Sequence, residues 1–258
     1  MRLIFLLFLS VALAADIISV SSWNVLRLSS HTIHKKDKSV FRNYFKKDYD
    51  VFVLTEILNK EPLYSLTDKR VLFSKKTGTT TYKEFIAFVV SKKYKDLKVL
   101  NYYDSHNSFE RDPAMLVVNN SFGVVGVHLV YGRRKSSSGG LTKKEIKALK
   151  NLVTYFSHKS GLPEDRIFIA GDFNLKPSLI EPILPPGLKL LIKDPTTVST
   201  SKKRLGKNSY DHFIVSKNIQ VLSSNVLYSI LKNKSKSERV LFRKVVSDHY
   251  PIEAKLKF

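Results

Sequence analysis

The chain has 258 residues, 43% of them hydrophobic and 26% charged, which is apolar enough to bury a core and excludes wholesale disorder. Its 44 Lys and Arg stand against 22 Asp and Glu, a formal charge of +22 that fits nucleic acid, an anionic membrane or merely a basic surface. Cysteine is absent, so disulfides, thiolate metal sites and cysteine nucleophiles are excluded, and any metal must sit on oxygen or imidazole ligands.

At the start, Arg2 precedes the apolar run 3–9 and the small residues Ala12, Ala14 and Ala15, the pattern of a secretory signal peptide cleaved after Ala14 or Ala15. The run is too short for a comfortable membrane span, and Asp16 follows at once. The expectation is a signal peptide over 1–15, a secreted protein (extracellular or periplasmic), and a single domain over 16–258. A secreted chain without cysteine relies on its core alone, which fits bacterial export better than animal secretion.

Short runs rich in Val, Ile and Phe then predict strands at 17–23, 51–54, 85–90, 114–118, 124–130, 167–170, 213–215 and 252–258. Helical spacing predicts a short helix over 39–47, carrying Phe41, Tyr44 and Phe45. A longer helix is expected after Thr142, which forms a capping-box pattern with Glu145 and is followed by Ile146, Leu149, Val153 and Phe156 on one face. Residues 133–140 and 202–207 read as basic loops. Neither a repeat nor a linker divides the chain, so one mixed α/β domain is the economical reading.

Polar residues recur at the ends of these predicted strands. Asn24 and Glu56 follow the first two, His128 falls in the strand from Val124, and Gly171-Asp172-Phe173-Asn174 follows the strand from Ile167. Asp211 and Asp248-His249 precede the last two. Asp and Asn are poor strand formers, so each such residue serves a turn or a site. Together Asn24, Glu56, Asp172, Asn174, Asp211 and Asp248 offer hard oxygen ligands suited to Mg²⁺ or Ca²⁺, while His128 and His249 are of the type that titrates near neutrality. Phosphodiester hydrolysis needs an activated water, charge neutralisation on the phosphate and a proton for the leaving oxygen, and this set covers all three.

The motifs resemble the deoxyribonuclease I branch of the endonuclease/exonuclease/phosphatase superfamily from Asn24 to Pro251. Gly171-Asp172-Phe173-Asn174 and Ser247-Asp248-His249-Tyr250-Pro251 mark the superfamily, while Thr81-Tyr82-Lys83-Glu84-Phe85 and Arg111-Asp112-Pro113 look like segments of that branch. The resemblance implies a four-layer α/β/β/α sandwich: two packed, mainly antiparallel β-sheets flanked by helices. It implies that Asn24, Glu56 and Asp248 surround a divalent metal, Mg²⁺ with Ca²⁺ or Mn²⁺ as alternatives. His128 would pair with Glu84, and His249 with Asp211; which histidine is the base stays open. Asp172 and Asn174 would bind phosphate, water or a second metal. Tyr82 and Arg111, with Tyr210 as a weaker candidate, would hold the substrate backbone.

The activity so implied is that of a secreted, metal-dependent endonuclease acting on DNA with little sequence specificity and leaving 5′-phosphate ends, with RNA as a further substrate. It would work as a monomer without stable membrane insertion. A sphingomyelinase-like lipid phosphodiesterase, a toxin-type nuclease subunit and a non-catalytic cationic adhesion or DNA-binding protein are the competing readings. His31, His34, His106 and His158 are expected at the surface, Trp23 in the core, and His212 outside the catalytic set. The arginines that deoxyribonuclease I carries after its first metal-site motifs are missing from Asn24-Val25-Leu26 and Glu56-Ile57-Leu58. The basic loops are expected to take over backbone binding through counterion release.

Overall fold

In chain order the strands are β1 (Ile17–Leu28), β2 (Val51–Ile57), β3 (Arg70–Phe73), β4 (Phe85–Val90), β5 (Leu97–Asn101), β6 (Ala114–Val118), β7 (Phe122–His128), β8 (Ile167–Asp172), β9 (Leu188–Leu190), β10 (Asp211–Ser216), β11 (Gln220–Val226) and β12 (Ile252–Lys257). The helices are α1 (Lys38–Phe45), α2 (Glu61–Leu66), α3 (Gly140–Ser160), α4 (Pro177–Ile180) and α5 (Lys236–Val245). This computed structural model describes residues 17–78, 83–103, 105–131, 140–231 and 235–258. The expected signal peptide, Tyr82 and most of the first basic loop lie outside the described residues.

Among the described residues two six-stranded sheets form, ordered β11-β12-β1-β2-β4-β3 and β5-β6-β7-β8-β10-β9. Every neighbour pair is antiparallel except β1 with β2 and β7 with β8. The layering follows from the strand period of two. Val51 and Val53 of β2 belong to the cluster between the sheets, with Phe88, Leu116, Val124, Phe168 and Phe213, whereas Phe52 and Leu54 face the outer cluster with Phe41, Tyr44 and Phe242. The second sheet turns Val125, Val127, Ile167 and Ile169 outward onto Ile146, Leu149, Val153 and Phe156 of α3. Both faces are covered, so the central strands read as continuous apolar runs rather than alternating ones. The result is the expected four-layer α/β/β/α sandwich with mainly antiparallel sheets.

Two glycines mark close approaches. A Cβ on Gly126 would lie 2.4 Å from Ile86 Cγ2 across the sheet interface. Gly171, with φ +149°, would bring a Cβ within 1.9 Å of the Val127 carbonyl, so only glycine lets β8 lie against β7 at the start of the Gly171–Asn174 motif.

Four strands and three helices were not expected from the sequence: β3, β5, β9 and β11, with α2, α4 and α5. The capping box is corrected. α3 already begins at Gly140, and the buried Glu145 carboxylate accepts from Glu110 N at 2.8 Å and Val130 N at 2.7 Å, tying the loop after β7 to the helix. Among the described residues no helix is long and apolar enough to cross a membrane.

Candidate active site

Strand register assembles the first half of the site. β7 lies parallel to β8 with His128 opposite Asp172, and β10 lies antiparallel to β8 with Asp211 opposite Asp172. Three titratable side chains thus stand abreast at one edge of the second sheet. In the first sheet the parallel strands β1 and β2 deliver Asn24 and Glu56, and Glu84 sits just before β4. Asp248 and His249 lie in the turn entering β12, whose backbone is anchored by a bridge from Thr197 to His249.

Backbone irregularity aims these side chains. The ladders of β1 and β2 are interrupted between Asn24 and Leu28 and between Leu54 and Ile57. Leu26, Arg27 and Glu56 have φ values of +50°, +51° and +61°, the left-handed region that residues other than glycine seldom occupy. Hydrogen bonds hold the strained turn: Asn24 Oδ1 accepts from Leu26 N at 3.0 Å, and Glu56 Oε2 accepts from Arg27 N at 3.0 Å. Lys36 reinforces it, its ammonium donating to the carbonyls of Val25 (3.2 Å), Leu26 (2.8 Å) and Val246 (2.6 Å). Burial brings the Lys36 pKa down to about 8, against the opposing pull of Glu56 and Asp248.

The two imidazoles are built alike. His128 Nδ1 lies 2.7 Å from Glu84 Oε1, and His249 Nδ1 lies 2.7 Å from Asp211 Oδ2. Their Nε2 atoms both stand 3.7 Å from Asp172 Oδ2. Each carboxylate sets the tautomer of its ring, leaving Nε2 to face the shared well. Burial alone would lower both histidines. For His128, burial is the largest single influence, but Glu84, by charge and hydrogen bond, together with Asp172 overcomes it and the nearby Arg111, and the pKa rises. For His249, Asp211 and then Asp172 carry it up to about 10. Burial would raise Glu84, but His128 and Arg111 hold it below the usual carboxylate range. Burial pushes Asp172 upward, Asp211 adding to the rise while the two imidazoles oppose it.

The remaining expected residues take distinct places. Asn174 N donates to Asp172 Oδ1 at 2.9 Å, and its side-chain amide donates to the Leu129 carbonyl at 2.9 Å. Arg111, 14% exposed in its side chain, donates from Nε to the His128 carbonyl at 3.0 Å and from Nη2 to the Leu129 carbonyl at 3.1 Å, with Glu84 at 3.9 Å. It therefore braces the His128 strand end from the margin of the site. Tyr210 is half-buried beside Asp211. His31, His34, His106 and His158 are exposed. His212 is buried with its ring nitrogens 2.8 and 2.9 Å from the Ile192 and Leu175 carbonyls, a packing role. Trp23 is buried and also donates to the His249 carbonyl at 2.8 Å, so it positions as well as packs.

Three further residues position the site without having been expected to: Thr196 and Lys36 lie outside every motif, and Ser247 opens the Ser247–Pro251 motif. Thr196 Oγ1 accepts from Tyr210 N and Asp211 N, both at 3.0 Å. Ser247 Oγ donates to the Asn24 carbonyl at 2.6 Å and accepts from His249 N at 3.0 Å, joining the two sheet-one motifs. Lys36 is the third.

The donor chemistry fits a hard divalent ion. Asn24 Nδ2 donates to Glu56 Oε1 at 2.9 Å and to Asp172 Oδ2 at 3.0 Å, drawing two carboxylates together as a cation would. Asp211 Oδ1 is buried without a hydrogen-bond partner among the described residues. Among the described residues, ligand atoms of Asp172, Asp211 and His249 lie within 4.8 Å of one another, a grouping able to hold an ion. There, however, an ion would compete with the proton shared by His249 and Asp211. Glu56 and the partly exposed Asp248 also offer carboxylate oxygen, Asp248 Oδ1 lying 4.0 Å from His249 Nε2.

No protein-family model matches the chain, and no curated protein matches it. Solved structures do. An endonuclease/exonuclease/phosphatase family protein from Bacteroides thetaiotaomicron is 12% identical, with a TM-score of 0.65 over 95% of this chain and 99% of its own. D. rerio TDP2, complexed with a single-strand DNA product, is 16% identical, with a TM-score of 0.63 over 93% and 99%. A mannosyl-6-phosphatase from B. thetaiotaomicron is 12% identical, with a TM-score of 0.63 over 93% and 100%. The chain thus has the fold of the endonuclease/exonuclease/phosphatase proteins, as its motifs led one to expect.

Proposed function

We propose that this chain is a secreted, divalent-metal-dependent phosphodiesterase that hydrolyses DNA with little sequence specificity and leaves 5′-phosphate ends. The single observation that carries the reading is the pair of imidazoles, each backed by a carboxylate at 2.7 Å and each presenting Nε2 at 3.7 Å from one oxygen of Asp172. One group to take a proton and one to give it, on either side of a well lined by oxygen donors, is what in-line displacement at phosphorus requires.

The charges around the two rings support one division of roles. His249 answers to Asp211, Asp172 and Asp248, whereas Glu84 beside His128 is opposed by Arg111. His249 is the stronger proton holder and acts as general acid; His128 acts as general base. A water in the well gives a proton to His128 Nε2 and attacks phosphorus, the bond from phosphorus to the 3′ oxygen breaks, and His249 Nε2 protonates the departing oxygen. A divalent ion, Mg²⁺ first among the candidates, would be held by Glu56 and Asp248 with Asn24 beside them and would neutralise the non-bridging oxygens. Asp172 and Asn174 orient the water and phosphate. Arg111 holds the strand end that carries His128 and borders the phosphate.

The substrate class rests on the +22 charge, since a polyanion gains from it more than a sugar phosphate or a zwitterionic lipid does. The neighbour solved with a single-strand DNA product supports the same choice. Replacing His128 or His249 by Ala is expected to lower DNA cleavage at saturating Mg²⁺ by about 10²–10⁴-fold. DNA left intact by the folded wild-type protein, with hydrolysis of mannose 6-phosphate or sphingomyelin instead, would overturn the substrate assignment.

A further inference from the structure

Two tyrosines flank the end of β8. Tyr131 follows β7 by three residues and is 57% exposed, a large aromatic surface left to solvent. Tyr210 immediately precedes β10. Their ring centroids are 6.1 Å apart with the planes tilted by 58°. Between their two strands runs the end of β8, with Asp172, Phe173 and Asn174.

Both rings project from backbone that is tied to the site. On one side, the His128 and Leu129 carbonyls accept from Arg111 at 3.0 and 3.1 Å. Leu129 N donates to the Asp172 carbonyl at 2.8 Å, the Leu129 carbonyl accepts from Asn174 Nδ2, and Val130 N donates to Glu145 at 2.7 Å. On the other side, Tyr210 N donates to Thr196 Oγ1 at 3.0 Å, and the Tyr210 carbonyl accepts from Phe173 N at 2.8 Å. The Tyr210 hydroxyl is pushed up to about 12, first by burial, then by Tyr131, and also by the negative charge of Asp172. An exposed ring set against a second aromatic, three residues after His128, gains little for the core, but it presents a flat face to solvent at the margin of the site.

We propose that Tyr131, backed by Tyr210, is a stacking platform for an unpaired base next to the cleaved bond. The inference rests on the nucleic-acid reading above and narrows it. A base inside a duplex has both faces covered by its neighbours, whereas a single strand or frayed end offers a free π-face. Stacking on an aromatic side chain contributes about 1–3 kcal/mol per base, roughly 5- to 150-fold in affinity. The preferred substrate is therefore single-stranded, with discrimination by strandedness rather than by sequence.

The test compares kcat/KM of the full chain with Mg²⁺ on a short single-stranded oligonucleotide and on the same backbone with every base replaced by an abasic residue. Wild type is expected to favour the base-bearing strand by about 10-fold. Tyr131→Ala abolishes that preference by raising KM, and Tyr131→Phe retains it because the ring rather than the hydroxyl stacks. Equal losses on both strands in Tyr131→Ala would make the residue merely structural, and an unaltered preference would make the platform idle; either overturns the inference while leaving the phosphodiesterase reading intact. Wild-type protein that cleaves neither strand overturns both.

Discussion

At the scale of single residues, the division of labour between the histidines rests on which charges each ring faces. Removing Asp211 takes away the largest force raising His249, so Asp211→Asn lowers the His249 pKa and moves the alkaline limb of the kcat/KM profile to lower pH. Glu84→Gln removes the largest force raising His128, and a base that loses its proton more readily extends the acid limb to lower pH. A pH series on both variants checks this, and exchange of the two limbs would exchange acid and base. These residues were legible in the sequence because Asp, Asn and His at strand ends interrupt an apolar pattern. Lys36 and Thr196 were not, and Ser247, though inside a recognised motif, showed no role there. They act on backbone carbonyls and amides, partners that leave no trace in residue type, and Lys36 was one lysine among many in a chain of +22 charge. Glu145 was seen but misread, because Ser/Thr-x-x-Glu spacing fits a cap whether or not the helix starts there; here its carboxylate serves two amides outside α3.

At the scale of elements, the central strands were the readable ones. β2, β4, β6, β7 and β8 are covered on both faces and announce themselves as runs of Val, Ile and Phe. The overlooked β3, β5, β9 and β11 are the four edge strands of the two sheets, half-exposed and interspersed with Lys, Ser and Asn, which is how edges avoid further pairing. Helix α5 did carry a signal: Ser235 Oγ accepts from Glu238 N at 3.1 Å, the first half of a capping box. The element most exposed to a single substitution is β8. Gly171→Ala would set a Cβ against the Val127 carbonyl in a φ that L-residues avoid, so a loss of about 2–3 kcal/mol is expected, read as a lower denaturant midpoint at constant m. An unchanged midpoint would mean that β7 and β8 can separate at no cost.

At the scale of the molecule, two sheets pack so that both parallel strand pairs end at one edge, and the site forms only where they meet. Phe168 belongs to the cluster between the sheets, beside Val124 and against the rings of Phe122 and Phe258, and Phe168→Ala is expected to cost about 3–5 kcal/mol by calorimetry or denaturant titration. The net charge acts at the same scale. If six or more phosphates are neutralised, raising salt from about 50 to about 200 mM lowers DNA affinity by about 10³-fold or more, and a flat salt response would detach the charge from substrate binding. The sequence could supply the amount of charge but not its placement, which depends on where loops lie in space.

The central claim is that a metal-supported pair of histidines cleaves a nucleic-acid backbone. It is tested most directly by titrating Mg²⁺ into the metal-stripped full chain with DNA and following strand cleavage. The account predicts no cleavage in EDTA, saturable recovery with Mg²⁺, and products carrying 5′-phosphate. Cleavage that persists in EDTA, or metal-loaded folded protein that leaves DNA intact from about pH 5 to about pH 9, the range over which histidine chemistry operates, would contradict it.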